Sequence, residues 1–368
     1  MCGIFGVVCA SGDPADRELA RSLIVSLLRF SETRGREAVG IAVHDGERIQ
    51  VLKRAGSVTE FLRDGELTAL LDRVRDAKPG MTLAITGHSR LACNGTQSNG
   101  DNNQPVITRG SVALHNGIVV DDAALAERYQ LARQGDLDTE VLATVLRGKL
   151  DRTGDLVTAT RETFAEIEGS ASIAMFFDDL DALLLATNTG SLFQVANHEG
   201  TMLLFASERF ILQRALEDGG TAKRFGAVLE QVEAGHALVV KLKDLDRVAF
   251  SLTGAGGPEG MKPNGHRVEI VEHARTTDHL QRCTKCILPS TYPYIDFDKH
   301  GVCRYCRNWK KITPKGEQAL LDMVEPYRRK DGKPDVIVAF SGGRDSSYGL
   351  HYVKKVLGMN PVAFTYDW

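Results

Sequence analysis

Three groups of residues have types and spacings that could do chemistry. The first opens the chain: Met1-Cys2-Gly3-Ile4-Phe5-Gly6-Val7. Removing Met1 would leave a thiol and a free α-amine on one residue, with reference pKa values of about 8.5 and about 7.7–8.0. The amine can take the thiol proton near neutral pH, so Cys2 would supply both nucleophile and base. Gly3 and Gly6 would let the backbone approach a bound substrate, and Ile4, Phe5, Val7 and Val8 read as a buried strand that holds the start. On position alone, Cys2 could equally be a core cysteine. The second group is Cys283-Thr-Lys-Cys286 and Cys303-Arg-Tyr-Cys306, two CxxC pairs separated by sixteen residues. This spacing fits four thiolates around a structural, tetrahedral Zn²⁺ better than a redox or free-thiol pair. In the third, an apolar strand at 336–340 runs into Ser341-Gly342-Gly343-Arg344-Asp345-Ser346-Ser347, a helix to 357 and a strand at 361–365. Free N–H groups and the helix dipole converge on such a loop and make an anion site. The lysine of a Walker loop is absent.

Three further segments carry polar residues that strand and helix packing does not ask for: Gly87-His88-Ser89-Arg90-Leu91-Ala92, His115-Asn116-Gly117 and Asp138-Thr139-Glu140. Each has a plain reading alone. Arg90 is then a surface or ion-paired arginine, Asn116-Gly117 a type I′ hairpin turn, and Asp138 a helix N-cap. Together with Cys2, and in this order, the set resembles the N-terminal-nucleophile glutaminase domain of class II glutamine amidotransferases over roughly residues 2–245. That family includes asparagine synthetases, glutamine phosphoribosylpyrophosphate amidotransferases and glucosamine-6-phosphate synthases. The resemblance implies an α+β fold, the αββα sandwich of N-terminal-nucleophile hydrolases. It also implies roles: Cys2 as nucleophile, and Asn116 and Gly117 as oxyanion donors through a side-chain amide and a backbone N–H. Arg90 would hold the substrate carboxylate, Asp138 would receive its ammonium with help from the Gly117 carbonyl, and Arg34 would stand beside the nucleophile. The chain departs from the pattern at Leu91, where several relatives carry tryptophan. It departs also at Cys93 and Asn94, often threonine and histidine, and at Glu37, usually aspartate.

The cysteine segment, with Cys-Ile-Leu-Pro at 286–289, Ile-Asp-Phe-Asp at 295–298 and Gly-Val-Cys at 301–303, resembles the opening of N-acetyl sugar amidotransferases of the lipopolysaccharide-biosynthesis type. Ser-Gly-Gly-x-Asp-Ser resembles the PP-loop of ATP pyrophosphatases. By that resemblance Ser341, Gly342, Gly343, Asp345 and Ser346 would hold the pyrophosphate of ATP with Mg²⁺. The expected function is therefore glutamine-dependent amidotransfer to an ATP-activated small-molecule acceptor, a sugar in surface-polysaccharide synthesis. Amidation of an amino-acid carboxylate, as in asparagine synthetase, is the alternative. A reading from a different class is a PP-loop tRNA-modifying enzyme whose zinc ribbon grips RNA. Lys285, Arg304, Arg307, Lys310 and Lys311 with Tyr305 and Trp309 could form such a surface, but a solvated ribbon face explains them more simply, and nucleic acid is not expected as a partner.

The elements that would position these groups follow from periodicity. Asp13-Pro14 caps a helix over 14–30 in which Leu19, Leu23, Ile24, Leu27 and Leu28 share a face. A loop at 34–40 leads into a strand at 41–43, and short strands at 82–86 and 112–114 are separated by glycine and asparagine turns. Helices are expected at 123–129, 139–149 and 156–167, and strands at 171–177, 183–186, 192–195, 202–207 and 237–242. Strands outnumber helices without alternating with them, which points to α+β. The expected domains are a glutaminase domain at 1–250, a glycine- and proline-rich linker at 251–280, a zinc ribbon at 281–310, and the beginning of a PP-loop domain at 311–368. A doubly wound sheet needs more βα units than this last stretch holds, so the sequence reads as a fragment or a truncated form. The exposed edge of so short a sheet would pair with something, and a homodimer is one such form. The remaining cysteines, Cys9 and Cys93, read as small buried hydrophobes. An odd total of seven fits a reducing, cytoplasmic setting. With 43% apolar and 25% charged residues, a net charge of −3, no apolar run long enough for a membrane span and no secretory leader, the chain reads as an ordinary globular protein.

Overall fold

The first strand, β1 (Gly3–Cys9), shows how the layers arise. Phe5, Val7 and Cys9 point into one apolar cluster and Ile4 and Val8 into another, as the two-residue period of a strand requires. A strand buried on both faces belongs in the middle of a layered domain. The computed structural model describes residues 2–10, 12–75, 82–91, 99–218, 220–226, 228–254, 261–273, 281–290, 292 and 295–365. Met1, Ala92, Cys93 and Asn94, named above, and residues 255–260 and 274–280 of the expected linker lie outside the described residues. Two units emerge, residues 1–304 and 305–368.

In the first unit, β1 is followed by β2 (Ala38–His44), β3 (Arg48–Ala55), β4 (Leu83–Arg90), β5 (Val106–Thr108), β6 (Ser111–Val119) and β7 (Gly169–Phe177). Then come β8 (Leu180–Thr187), β9 (Phe193–Ala196), β10 (Met202–Ala206), β11 (Glu230–Gln231), β12 (His236–Lys241), β13 (Arg247–Ser251) and β14 (Glu269–Glu272). One sheet runs β11-β9-β10-β1-β4-β2-β3-β14 and the other β13-β12-β8-β7-β6-β5. Their facing surfaces close on Ile4, Val8, Leu114, Phe176, Leu185 and Phe205. Helices α1 (Pro14–Ser31), α2 (Val58–Phe61), α3 (Gly65–Arg75), α4 (Asp122–Arg128), α5 (Asp138–Thr153), α6 (Leu156–Glu166) and α7 (Arg209–Asp218) supply the outer layers. Leu23, Leu70 and Ile211 of α1, α3 and α7 pack on the first sheet, and Leu125, Leu146 and Leu156 of α4, α5 and α6 on the second. The result is the four-layer α/β/β/α arrangement expected. The cap is also as expected: Asp13 accepts the Ala15 N–H at 2.9 Å.

Four local expectations change. Gly6 does not give a substrate room. A Cβ there would fall 2.3 Å from the Phe205 ring and 2.5 Å from the Ile85 carbonyl oxygen, so its missing side chain is filled by core. His115-Asn116-Gly117 is not a turn but lies inside β6, opposite Ile173, Ser172 and Ala171 of β7. Residues 38–40, expected in a loop, open β2, which is zipped to β3 and β4 on both sides. Finally, residues 261–272, inside the stretch expected as a flexible linker, are seated as a strap. Asn264 and Val268 donate backbone N–H to the Asp179 and Asp178 carbonyls at 2.9 and 2.7 Å, and Arg267 pairs with the Asp178 carboxylate at 3.0 Å. The strap then becomes β14, which adds to the edge of β3 in parallel. Backbone pairing to an open edge overrides the loop-like composition.

The second unit holds α8 (Arg304–Asn308, from the last residue of the first unit), α9 (Glu317–Val324), β15 (Val336–Ala339), α10 (Arg344–His351) and β16 (Pro361–Phe364). β15 and β16 pair in parallel, joined through α10, the right local context for a strand–loop–helix anion site. Among the described residues, no helix is long and apolar enough to cross a membrane.

Candidate active site and cysteine cluster

Strand register gathers the first half of the site. β1 and β4 pair Gly3 with Ser89, and β2 and β4 pair Ala38 with Arg90. The start of β1 therefore lies against the end of β4, and the Cys2 thiol donates to the Leu91 carbonyl at 3.4 Å. Only the backbone of Leu91 enters this contact, so the departure from tryptophan does not touch it. The Glu37 N–H likewise reaches the Arg90 carbonyl at 3.1 Å. Arg34 flanks the same end: its Cβ would stand 3.2 Å from a Cβ at Gly3, and its guanidinium pairs with Glu208 at 3.2 Å. Below this terminus the strand is pinned by Ser207, which accepts the Ile4 N–H at 3.1 Å and returns its own N–H to the Ile4 carbonyl at 2.8 Å.

The second half belongs to the other sheet. Asn116 and Gly117 sit on β6, and Gly117 has φ +149°. Asp138 is not an N-cap but the first residue of α5. Its two oxygens accept the Val119 N–H of β6 at 2.8 Å and the Thr139 N–H at 2.9 Å. Burial works against its ionisation, but the hydrogen bond from His115 and these two N–H groups prevail and hold its carboxyl below the ordinary aspartate range. Asp138 is only 5% exposed, and Arg90 2%. His88, two residues before Arg90, is wholly buried. Burial, then the nearby Arg90, keeps its imidazole neutral with a pKa down at about 3.

A short polar run that the sequence reading passed over joins the halves. Arg90 donates to the Asn103 side chain at 3.0 Å. The next residue, Gln104, takes the His115 N–H at 2.6 Å and donates to the His115 carbonyl at 2.9 Å and the Thr139 hydroxyl at 3.2 Å. Arg90 on one sheet and Asp138 beneath the other are thus tied through Asn103 and Gln104. The arrangement offers a buried cation and a buried anion tied to each other, the cation one residue before the backbone carbonyl that receives the Cys2 thiol. Such a pair matches the carboxylate and ammonium of an amino acid.

The four cysteine sulfurs form a separate cluster, all within 4.8 Å of one another. Thiolates at about 2.3 Å from a tetrahedral zinc stand roughly 3.8 Å apart, and Cys286 and Cys303 are 3.6 Å apart. Burial resists ionisation of Cys283, but backbone N–H groups of Cys303, Cys286 and Lys285 point at its sulfur and bring the thiol down to about 6. The donor set fits a metal ion of zinc's size and softness. In the glycine loop between β15 and α10, Gly342 adopts φ +76°. The Ser346 hydroxyl accepts the Ser341 N–H at 3.3 Å and donates to the Gly343 carbonyl at 3.0 Å. This folds Ser341, Gly342, Gly343, Asp345 and Ser346 into one tight turn at the start of α10.

No family model matches the chain. It is 32% identical over 212 residues to the isomerizing glutamine–fructose-6-phosphate aminotransferase of Corynebacterium glutamicum, covering 55% of this chain and 32% of that protein. It is 29% identical over 379 residues to the amidophosphoribosyltransferase of Methanocaldococcus jannaschii, covering 100% of this chain and 70% of the relative. The chain thus spans about a third of the fructose-6-phosphate aminotransferases that it matches. Among solved structures, glutamine phosphoribosylpyrophosphate amidotransferase from B. subtilis, complexed with ADP and GMP, shares the fold. The TM-score is 0.50 at 22% identity, over 69% of this chain and 50% of that one. The chain is thus similar in sequence to glutamine-dependent enzymes, a glutamine–fructose-6-phosphate aminotransferase and an amidophosphoribosyltransferase, and in fold to a glutamine phosphoribosylpyrophosphate amidotransferase.

Proposed function

We propose that residues 1–250 hydrolyse L-glutamine and that the protein passes the ammonia to an ATP-activated acceptor. The observation that carries the first part is the buried Arg90–Asn103–Gln104–His115–Asp138 connection, with the Cys2 thiol on the carbonyl of Leu91, the residue after Arg90. It supplies opposite charges for the two ends of one amino acid and leaves the side chain to the thiol. With Met1 removed, the Cys2 amine takes the thiol proton and the thiolate attacks the glutamine carboxamide carbon. The developing oxyanion is met by the Asn116 amide and the Gly117 N–H, donors worth roughly 2.7–4 kcal/mol each. Collapse breaks the C–N bond, and the Cys2 ammonium protonates the departing ammonia. Water, deprotonated by the same amine, then opens the thioester and frees glutamate.

For the second part, Ser341, Gly342, Gly343, Asp345 and Ser346 would hold ATP pyrophosphate with Mg²⁺, and Cys283, Cys286, Cys303 and Cys306 a structural Zn²⁺. The proposed domain plan is a ribbon at 281–310 and a PP-loop segment at 311–368. The resemblance of the cysteine and glycine segments favours a sugar acceptor in surface-polysaccharide synthesis. If the ribbon is a zinc site, elemental analysis of the purified protein gives about one zinc per chain. Cys283→Ser then removes the metal, since binding on the order of 10 kcal/mol depends on the complete thiolate set. Unchanged metal content in that variant would contradict the assignment.

The glutaminase reading is tested with 6-diazo-5-oxo-L-norleucine, an electrophilic glutamine analogue. One adduct per chain is expected, on Cys2, in molecules lacking Met1, and L-glutamine should protect against it. No adduct, or one that ignores glutamine, overturns the reading.

A further inference from the structure

We propose that Lys53 and Glu272 are a positioning pair for the glutamine site, through which the seated strap sets the affinity for glutamine. This rests on the glutaminase reading and adds residues outside it. Lys53 lies on β3 with its side chain 5% exposed, its Nζ 3.2 Å from Glu272 and donating at 3.2 Å to the Pro105 carbonyl. A buried ammonium persists only when it is paired and hydrogen-bonded, so these contacts fix Lys53, and Lys53 fixes Pro105. Pro105 ends the run that joins the two halves of the site. Asn102 donates to Asp136 at 3.0 Å and accepts its N–H at 2.8 Å. Asn103 takes the Arg90 guanidinium, and Gln104 clasps His115. Each residue from 102 to 105 is therefore gripped by a different part of the fold.

Glu272 comes from the far end of the domain. The strap carries it there, anchored by Arg267 on Asp178 and by β14 on β3, with Glu272 opposite Val51. Removing its charge withdraws a full counter-charge from a buried ammonium, a larger disturbance than breaking an exposed pair. The Pro105 carbonyl then shifts, and Asn103 and the Arg90 guanidinium shift with it. Displacement of about 1 Å at such a group can cost on the order of 100-fold. Asn116 and Gly117 stay held by their pairing with β7. The effect belongs in KM.

The test is glutaminase kinetics on the full chain for wild type, Lys53→Met, Glu272→Gln, Lys53→Arg and the Met/Gln double variant, with iodoacetamide alkylation of Cys2 as a probe that does not use Arg90. Lys53→Met and Glu272→Gln are expected to raise KM roughly tenfold or more with kcat within about threefold. The double variant should be no worse than Lys53→Met, Lys53→Arg should recover much of the affinity, and alkylation rates should not change. A wild-type KM in both single variants overturns the proposal, even if their thermal midpoints fall, because the pair would then be structural only. Absence of glutamine turnover in the wild type would overturn the glutaminase reading as well, which separates the two failures.

Discussion

Replacing Cys2 by alanine is expected to lower kcat for glutamine hydrolysis by at least about four orders of magnitude, as removal of a covalent nucleophile does elsewhere. The fold should hardly notice. Cys2 precedes β1, and the strand it leads into is held by the pairing of Gly3 with Ser89 and by the double hydrogen bond between Ile4 and Ser207. Those contacts are backbone or belong to other residues, and Cys2 itself is only partly buried. A stability change within about 0.5–1 kcal/mol is expected, so lost activity cannot be ascribed to unfolding. Intact-mass analysis supplies the second arm. Molecules that keep Met1 have an amide where the base should be, and they should be as inactive as the alanine variant. Turnover that survives Cys2→Ala, or that follows the Met1-bearing fraction, would remove the mechanism.

How much of this was legible in the sequence depends on whether a residue acts through its side chain or through pairing. Cys2, Arg90, Asn116 and Asp138 stand out because their chemistry is carried by residue type. α1 is legible because a cap, a proline and five leucine or isoleucine positions agree, and a local pattern of that length needs no tertiary help. α3 carries the same signal in Leu67, Leu70, Leu71 and Val74, all buried, but lacks the proline that marks the start of α1. The misreadings have a tertiary cause. Asn116-Gly117 prefers a turn locally, but nine residues of β6 pair with β7 in one register, and the ladder outweighs the dipeptide. Asp138 looks like a cap, yet its oxygens serve Val119 across to β6 as well as the Thr139 N–H beside it.

Residues that work by holding backbone are the hardest to find. Gln104 and Lys53 tie peptide groups of other segments and Asn103 holds the Arg90 guanidinium, and nothing in their spacing announces these partners. β14 is two apolar residues between glutamates, Glu269-Ile-Val-Glu272. It becomes a strand only because β3 presents an open edge. The strap thereby makes part of the apparent linker a structural member of the domain, and it is the route by which Glu272 reaches Lys53.

Gly117→Ala carries the second large expected effect, and it separates geometry from chemistry. At φ +149° an L-residue is strained by about 1–3 kcal/mol. A Cβ there would also lie 1.9 Å from the Ser170 carbonyl oxygen and 2.9 Å from His115 Nε2. The clash is with backbone of the neighbouring strand, so no rotamer relieves it: either β6 moves off β7 or the Asn116–Gly117 peptide turns over. Both outcomes misdirect the N–H proposed for the oxyanion, which should cost roughly 100- to 1,000-fold in kcat per folded molecule. Melting should show a simultaneous loss of stability. Gly154 is the matched control, with φ +63° and open space where its Cβ would be. Gly154→Ala should cost about 1 kcal/mol of backbone strain and leave kcat unchanged. If Gly117→Ala lowers stability but keeps wild-type kcat in the folded fraction, the backbone there is a packing feature and the oxyanion assignment falls.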